Sequence, residues 1–386
     1  MIKNKKKIGI LAFSSEVNGG THQYTQSMID ALRYDTTNKY VIFCDIKENR
    51  FDNYGLEVRK INKSVDSFFK KIYHLFVLKL KIQIPSLMSD NEKKIFNDIE
   101  LFVSPVISIY TLCFTKKPFI FTLHDMQERY YPEFFTIREK VARFIYINIL
   151  SKKKCRIICE TKYIKNDIIK FTKIKSDKIF VIQAPPPKEF VDFDFSNIKI
   201  VDIQKKYNIP QKFILYPGNF WFHKNHIRLI EAFKMVTKEF NDVYLILTGS
   251  KKNNYNNIIK KINDLNLSDK VTFLGYINYK DLPFVYKLSK MIIVPSLFES
   301  VSIPIYEAFS LKVPVCCSNI NGLVEQVGDA ALTFNPFDIN DIAQKILVYL
   351  KNEDIAKENA LKGFTRVVNF SHDEYKKKLL IIFDSL

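Results

Sequence analysis

Residues 291–309 read MIIVPSLFESVSIPIYEAF and determine the fold of the second half of the chain. The apolar run Met291–Pro295 predicts a strand, and Pro304 suits the first turn of a helix because its ring holds φ near the helical value. Glu299 then lies in the connecting loop, and Glu307 lies about one turn into the helix. A strand that runs through a polar loop into a helix is typical of α/β proteins, which bind ligands at such loops.

The same alternation of apolar strand-like runs with helix-period segments extends outward in both directions. Alternation at this spacing predicts an α/β fold with two doubly wound, Rossmann-like domains that face each other across a cleft. The predicted strands are Ile8–Ser14, Tyr40–Asp45, Leu101–Ser104, Phe119–His124 and Arg156–Glu160 in the first half, and Phe213–Tyr216, Val243–Thr248, Val271–Leu274, Met291–Pro295 and Val313–Ser318 in the second.

The length of 386 residues also favours two domains, because a single core rarely serves so long a chain. The extended segment Pro185–Pro187 cannot continue a helix, and a polar stretch without clear period follows it. We therefore predict a first domain over residues 1–190, a linker over 191–211 and a second domain over 212–370. The last residues, 371–386, have helical spacing.

The chain is basic, with 59 Lys and Arg against 41 Asp and Glu and a formal charge of +18. Residues 1–200 hold 35 of these bases and 22 of the acids, so the excess concentrates in the first half. Residues 59–81 carry seven bases and one acid, interleaved with apolar side chains at roughly helical spacing. Such a segment is either an amphipathic helix on an anionic membrane or a helix packed on its own sheet.

Three further loops hold candidate functional residues. Gly19 and Gly20 follow the first predicted strand, where backbone could approach a ligand closely, although a plain turn explains them equally well. His124 and Asp125 end another strand. They are either a polar catalytic pair or a buried histidine beside a helix-capping aspartate. Lys224 follows the first strand of the second half, as a phosphate ligand or as a solvated lysine.

The sequence gives little support for a metal site. His223 and His226 are close in the chain, but no third ligand lies nearby. The six cysteines form no C-x-x-C pair and sit mostly in apolar runs, which indicates buried free thiols in a reducing compartment. No apolar stretch reaches the roughly 20 residues of a spanning helix, so we expect a cytoplasmic protein, in one interpretation peripheral on the inner face of the membrane.

Residues 291–336 resemble the signature region of glycosyltransferase family 4, a family of retaining nucleotide-sugar enzymes with the GT-B fold. Glu299 and Glu307 match the E-x7-E motif of that family, and Lys224 matches its donor-phosphate lysine. Gly19 with Gly20 and His124 with Asp125 match its first-domain motifs in the same order. The family usually has glycines where Ser300 and Ser302 stand, and tryptophan where His372 stands.

The resemblance implies a site and a set of roles. It assigns catalysis to Glu299, His124 and Asp125, with Glu307 holding the ribose and no metal or other cofactor required. Donor binding falls to Gly19, Gly20, Asn219, His223, Lys224, Gly249, Tyr276, Ser300, Val301, Ser302, Ile303 and Glu307. It also implies that helix 371–386 packs back on the first domain.

The implied reaction is transfer of a hexose from GDP-mannose or a UDP-hexose, by analogy with bacterial surface-polysaccharide mannosyltransferases. The acceptor would be a saccharide or a lipid-linked saccharide, and no nucleic-acid partner is expected. Two alternatives from other classes stay open. One is a non-catalytic partner subunit with the same fold, and the other is a basic nucleic-acid-binding protein, for which no recognised module is present.

Overall fold

The computed structural model describes residues 5–14, 19–61, 94–106, 117–151, 155–193 and 200–386. The chain forms two compact units. The first comprises Met1–Ala184 together with His372–Leu386, and the second comprises Pro185–Ser371. Each unit is an α/β structure built on one parallel sheet.

The sheet of the first unit has seven parallel strands among the described residues, in the order β3-β2-β1-β4-β5-β6-β7. The strand order reverses between β1 and β4, and the carboxyl ends of all seven strands share one edge. The elements are β1 (Lys7–Leu11), α1 (Gly20–Leu32), β2 (Lys39–Asp45), β3 (Glu57–Ile61), β4 (Leu101–Ser104), β5 (Phe119–Thr122), α2 (Ile137–Ser151), β6 (Cys155–Cys159), α3 (Lys162–Phe171) and β7 (Ile179–Val181).

The inner strands of this sheet are apolar because helices cover both faces of a parallel sheet. Every residue of β4 and β5 is buried. The edge strand β3 instead has three charged residues among its five, as EVRKI. Its Arg59 pairs with Glu57 and Asp98, which is how an exposed edge avoids further strand pairing.

Strand β3 corrects part of the sequence interpretation. Residues 59–81 were predicted to form one basic amphipathic segment of helical spacing, but Arg59–Ile61 belongs to β3 and pairs with β2. The helical spacing of that stretch therefore does not start at Arg59. Residues 62–81 lie outside the part of the chain that the structure describes, as do Asn18 and Lys152–Lys154.

The second unit has a six-stranded parallel sheet in the described residues, ordered β10-β9-β8-β11-β12-β13, which reverses between β8 and β11. Its elements are α4 (Lys188–Val191), α5 (Ile200–Tyr207), β8 (Phe213–Pro217), α6 (His226–Glu239), β9 (Tyr244–Thr248), α7 (Tyr255–Asp264), β10 (Val271–Gly275), α8 (Leu282–Leu288), β11 (Met291–Val294), α9 (Ile303–Ser310), β12 (Val315–Ser318), α10 (Asn321–Val327), β13 (Leu332–Phe334), α11 (Ile339–Lys351) and α12 (Glu353–Val367).

Alternate residues of these strands face two hydrophobic layers, one on each side of the sheet. Ile214 and Ile293 face the layer that contains Leu229 and Phe233 of α6. Leu215 faces the other, which includes α5 and α9. Ile203 and Ile209 lie in that second layer, so much of the stretch predicted as linker, residues 191–211, is part of the second unit, which begins at Pro185.

A final helix, α13 (His372–Asp384), belongs to the first unit. Its buried face, Tyr375, Leu379, Ile382 and Phe383, joins the core that also holds Tyr24 of α1. The Tyr375 hydroxyl donates to the Tyr24 hydroxyl at 3.1 Å. Among the described helices, none is long and apolar enough to cross a bilayer.

This packing predicts that Leu379→Ala lowers the free energy of unfolding of the first unit by about 2–5 kcal/mol, because Leu379 is fully buried and the truncation leaves a cavity. Ile381→Ala on the same helix is the matched control, since Ile381 is 66% exposed and its truncation should change stability by about 0.5 kcal/mol or less. Urea denaturation followed by circular dichroism measures both. Equal effects of the two substitutions would contradict this packing.

Candidate functional site

Most of the predicted site residues of the second unit follow the carboxyl ends of its strands. Asn219, His223 and Lys224 follow β8, Gly249 follows β9, and Tyr276 follows β10. The segment from Glu299 to Ile303 follows β11, and Glu307 lies within α9. Because all these strands are parallel, their loops share one edge of the sheet. Strands β8 and β11 are neighbours at the point where the order reverses, which is where α/β sheets bind ligands.

Lys224 and Glu299 form an ion pair at this reversal point. The ammonium of Lys224 donates to Oε1 of Glu299, which also accepts from the Ser296 hydroxyl at 2.9 Å. The two side chains are 20% and 12% exposed, so they are largely shielded yet reachable from solvent. Leu297 N–H donates to the carbonyl of His223 at 2.8 Å and joins the two loops. The cation and the carboxylate are thus held together by loops 75 residues apart.

Asn225 sets the direction of the Lys224 loop, and the sequence interpretation did not include it. It adopts left-handed backbone, with φ of 58°, between the turn Phe222–Lys224 and α6. Its buried side-chain amide donates to the carbonyls of Pro295 and Pro336 at 3.0 and 2.8 Å. Asparagine adopts this conformation more readily than most residues, so Asn before a helix was the available signal.

Gly249 allows the loops after β8 and β9 to touch. Its φ is +129°, and a Cβ there would lie 2.6 Å from the carbonyl oxygen of Gly218. Beside it, the N–H of Ser250 donates to Oδ1 of Asn219 at 2.8 Å. Gly249 and Asn219 therefore determine how these two loops pack. The side-chain oxygen of Asn219 already accepts a hydrogen bond from the protein.

The loop amides predicted to bind phosphate are partly occupied by protein. The N–H of Ser302 donates to Oε1 of Gln326 at 2.9 Å, and Nε2 of Gln326 returns a hydrogen bond to the Ser302 carbonyl at 2.8 Å. Ser300 and Ser302 are buried, whereas Val301 and Ile303 are partly exposed. In this arrangement Ser302 does not offer its amide to a ligand, because α10 supplies a glutamine that takes it.

Glu307 is buried, with 1% of its surface exposed. The hydroxyl of Tyr286 donates to Oε2 of Glu307, and that of Tyr279 donates to Oε1 at 3.4 Å. Burial, together with the charge and hydrogen bond of Glu307, raises the pKa of Tyr286 well above its ordinary value. Tyr286 therefore stays protonated and remains a donor to the carboxylate. The two tyrosines come from distant positions, and the E-x7-E spacing gave no sign of them.

His226 packs among aromatic side chains of the core. It is fully buried, and its ring lies 4.5 Å from the ring of Tyr216 and 5.0 Å from that of Phe220. Burial, reinforced by the charge of Lys224, lowers the pKa of His226 to about 3, so the ring is neutral at physiological pH. Within the described ranges, no group of three His, Cys, Asp or Glu residues is placed to hold a metal ion.

In the first unit, Gly19 and Gly20 lie at the start of α1. Gly19 precedes the helix with φ of 61°, a conformation that favours glycine. Its carbonyl accepts the N–H of His22 at 2.9 Å. The glycine pair is therefore at the carboxyl side of β1, next to the reversal of this sheet between β1 and β4.

His124 follows β5 at the same edge of the first sheet. Its Nδ1 lies 3.0 Å from Oε2 of Glu160, and its Nε2 lies 2.9 Å from the carbonyl oxygen of Pro105. Burial opposes a charge on the ring, but the hydrogen bond and the charge of Glu160 outweigh it and raise the pKa of His124 above 6.5. Glu160 follows β6 and was not among the predicted site residues.

Asp125 has a different environment from its neighbour. Its carboxylate pairs with the guanidinium of Arg143 on α2 and accepts the N–H of Gln127 at 3.2 Å. Burial opposes the charge on Asp125, but Arg143 outweighs it and lowers the pKa of the carboxyl below its ordinary value. The carboxylate is thus ionised and occupied, which favours the structural interpretation of Asp125 over the catalytic one.

Comparison with known proteins identifies relatives for both units. Residues 200–364 match the family model of "Glycosyl transferases group 1". The chain is 27% identical over 217 residues to O-antigen chain mannosyltransferase B of Escherichia coli, a match that covers 56% of each chain. The chain thus spans about half the length of that relative. It is also 27% identical over 346 residues to O-antigen chain mannosyltransferase RfbU of Salmonella typhimurium, covering 88% of this chain and 87% of the relative.

The fold has close counterparts among solved structures. The structure of Anabaena Alr3699/HepE in complex with UDP and glucose superposes with a TM-score of 0.76 at 16% identity, and the match covers 99% of this chain and 100% of that one. The predicted GT-B fold is confirmed, as is the resemblance to O-antigen mannosyltransferases. The family match and these relatives support an enzyme of the glycosyltransferase class.

The close approach of α10 to the Glu299 loop predicts an unusual effect of Gly322→Ala. Alanine normally stabilises a helix by about 0.5–1 kcal/mol relative to glycine. Here a Cβ would overlap the carbonyl of Glu299 and lie 2.6 Å from that of Ser300, so we expect a loss of about 1–3 kcal/mol.

Val324→Ala, at a 43% exposed position of the same helix, is the control and should be nearly neutral. Chemical denaturation measures both variants. A more stable Gly322→Ala protein would show that α10 does not constrain this loop.

Proposed function

We propose that this protein, whose residues 200–364 match the glycosyl transferases group 1 family, is a retaining hexosyltransferase. The donor would be a nucleotide-diphosphate hexose, and the acceptor a saccharide or lipid-linked saccharide of a surface polysaccharide. The observation that carries the proposal is the ion pair of Lys224 with Glu299 at the reversal point of the second sheet.

Lys224 provides the positive charge that a diphosphate leaving group needs. An ammonium on a flexible stem binds phosphate as a point charge, and the attraction between the two is strongest where water is partly excluded. In the structure this ammonium contacts Glu299. Donor binding would therefore exchange one anionic partner of Lys224 for another, with the diphosphate replacing the carboxylate.

Glu299 would take up a second role when Lys224 turns to the diphosphate. Its carboxylate keeps the hydrogen bond from Ser296, which holds it at the loop, while the rest of its acceptor capacity becomes free. Sugar hydroxyls are suitable donors for that capacity. The donor hexose would thus be oriented beside the charge that stabilises its departing phosphate.

Glu307 is proposed to bind the ribose, which requires that a ribose hydroxyl replace one of its two tyrosine donors. The carboxylate is held firmly by Tyr286 and more loosely by Tyr279, at 3.4 Å. Tyr279 is only partly buried, so a ribose hydroxyl would replace it rather than Tyr286. The partly exposed loop residues Val301 and Ile303 would supply the remaining phosphate amides, with no metal ion in the scheme.

Two donors are favoured by the relatives. The curated matches from Escherichia coli and Salmonella are named as mannosyltransferases, which favours GDP-mannose. The Anabaena structure contains UDP and glucose, which keeps a UDP-hexose as the second candidate. The acceptor would meet the basic first half of the chain, and a lipid-linked acceptor would place the protein peripherally on the cytoplasmic face of a membrane.

The central prediction is that Lys224→Ala lowers transfer from the preferred donor by a factor on the order of 10²–10³, because the leaving diphosphate loses its cation. Lys238→Ala, at an exposed position of α6, is the control and should retain full activity. Transfer of radiolabelled hexose from GDP-mannose and UDP-hexoses to a saccharide acceptor measures the effect. Full activity of Lys224→Ala would refute the site.

Binding of the donor nucleotide can be measured without knowledge of the acceptor. We expect either GDP or UDP to raise the melting temperature markedly in a panel of nucleoside diphosphates. A ligand at 100 times its dissociation constant stabilises the folded state by about 2.7 kcal/mol. The shift should disappear in Lys224→Ala and persist in Lys238→Ala. A panel in which no nucleotide stabilises the protein would contradict nucleotide-sugar binding.

A further inference from the structure

The hydrogen-bond partners of His124 determine its protonation state. Nδ1 faces a carboxylate oxygen of Glu160 at 3.0 Å, and Nε2 faces the carbonyl oxygen of Pro105 at 2.9 Å. A backbone carbonyl can only accept, and so can an ionised carboxylate. While Glu160 is ionised, both contacts are hydrogen bonds at once only if each ring nitrogen carries a proton, which makes the ring an imidazolium.

The pair is shielded from water. The side chain of His124 is 18% exposed, and that of Glu160 is 7% exposed. A buried carboxylate without a partner is costly, so the two charges depend on each other. The alternative distribution is a neutral imidazole that accepts from a protonated Glu160 and donates to Pro105, and it also satisfies both contacts. It is disfavoured because burial of the ring is outweighed by the hydrogen bond and the charge of Glu160, which raise the pKa of His124.

An aromatic contact also holds the imidazole in place. The ring of Tyr24 meets it edge-on, with centroids 4.7 Å apart and an interplanar angle of 88°. The Tyr24 hydroxyl lies 3.1 Å from the Thr122 hydroxyl and 3.1 Å from that of Tyr375. His124 therefore has contacts to α1 and to the loops after β4 and β6, which leave its ring little freedom to turn.

We propose that Glu160 is a positioning residue that keeps His124 as a fixed imidazolium, so that His124 contributes a positive charge and not a general base. A general base needs a nitrogen lone pair, and in this arrangement neither ring nitrogen has one available. The part of the inference that concerns catalysis rests on the proposed transfer reaction. The protonation state of His124 is a property of the free protein and does not depend on that reaction.

The charged groups around His124 favour this state. Glu160 faces it from the loop after β6, and Asp125 is adjacent on its own segment with its charge paired to Arg143. Tyr24 is neutral, since burial raises the pKa of its hydroxyl above the ordinary value. Because the pKa of His124 is raised above 6.5, the charged form is present below that raised value and is lost as the pH rises through it.

The direct test is ¹⁵N NMR of the full-length protein labelled at histidine, with the His124 signals identified by their loss in His124→Gln. We expect both ring nitrogens of His124 to be protonated at neutral pH in the unmodified protein, and its pKa to fall to or below 6.5 in Glu160→Gln. Glu133→Gln, at an exposed acidic position of the same unit, is the matched control and should leave the His124 titration unchanged.

A neutral His124 at neutral pH, or an unchanged pKa in Glu160→Gln, would overturn the proposal. If Glu160→Gln does not fold, Glu160→Asp retains the charge with a shorter reach, and the measurement on the unmodified protein needs no variant. The activity readout is separate: kcat/KM should fall as the pH rises through the pKa of His124, whereas a general base gives the opposite trend. Absence of transfer with every donor would refute the proposed function and leave the NMR result valid.

Discussion

The ion pair between Lys224 and Glu299 is the interaction on which the candidate site depends. It joins the loops after β8 and β11, the two neighbouring strands at which the order of the second sheet reverses. The loops can meet only because Asn225 turns the backbone into the left-handed region and Gly322 leaves room for the carbonyl of Glu299. A largely shielded cation with a replaceable anionic partner is what binding of a diphosphate requires.

The first unit uses the same geometry for a different purpose. Parallel strands β4, β5 and β6 end at one edge and bring Pro105, His124 and Glu160 together from three separate loops. Here the contacts hold an imidazole in one protonation state and one orientation. In both units the sheet topology, rather than local sequence, decides which polar groups become neighbours.

Because topology decides these contacts, the sequence predicts local elements better than it predicts which polar groups become neighbours. The strands with apolar runs and the Glu299–Glu307 spacing were readable, because period and turn chemistry are local. The edge strands β3, β7 and β13 were missed, since a short or half-charged strand has little apolar pattern. Partners such as Gln326 for Ser302 and Tyr286 for Glu307 were not predictable, because they lie about 20 residues or more away and follow from packing.

A crystal structure of the protein with the nucleoside diphosphate that stabilises it tests the role of the ion pair most directly. We predict that the diphosphate contacts the ammonium of Lys224, that the contact between Lys224 and Glu299 is broken, and that Glu299 keeps the hydrogen bond from Ser296. A nucleotide bound elsewhere, with the ion pair intact, would contradict this role of Lys224 and Glu299.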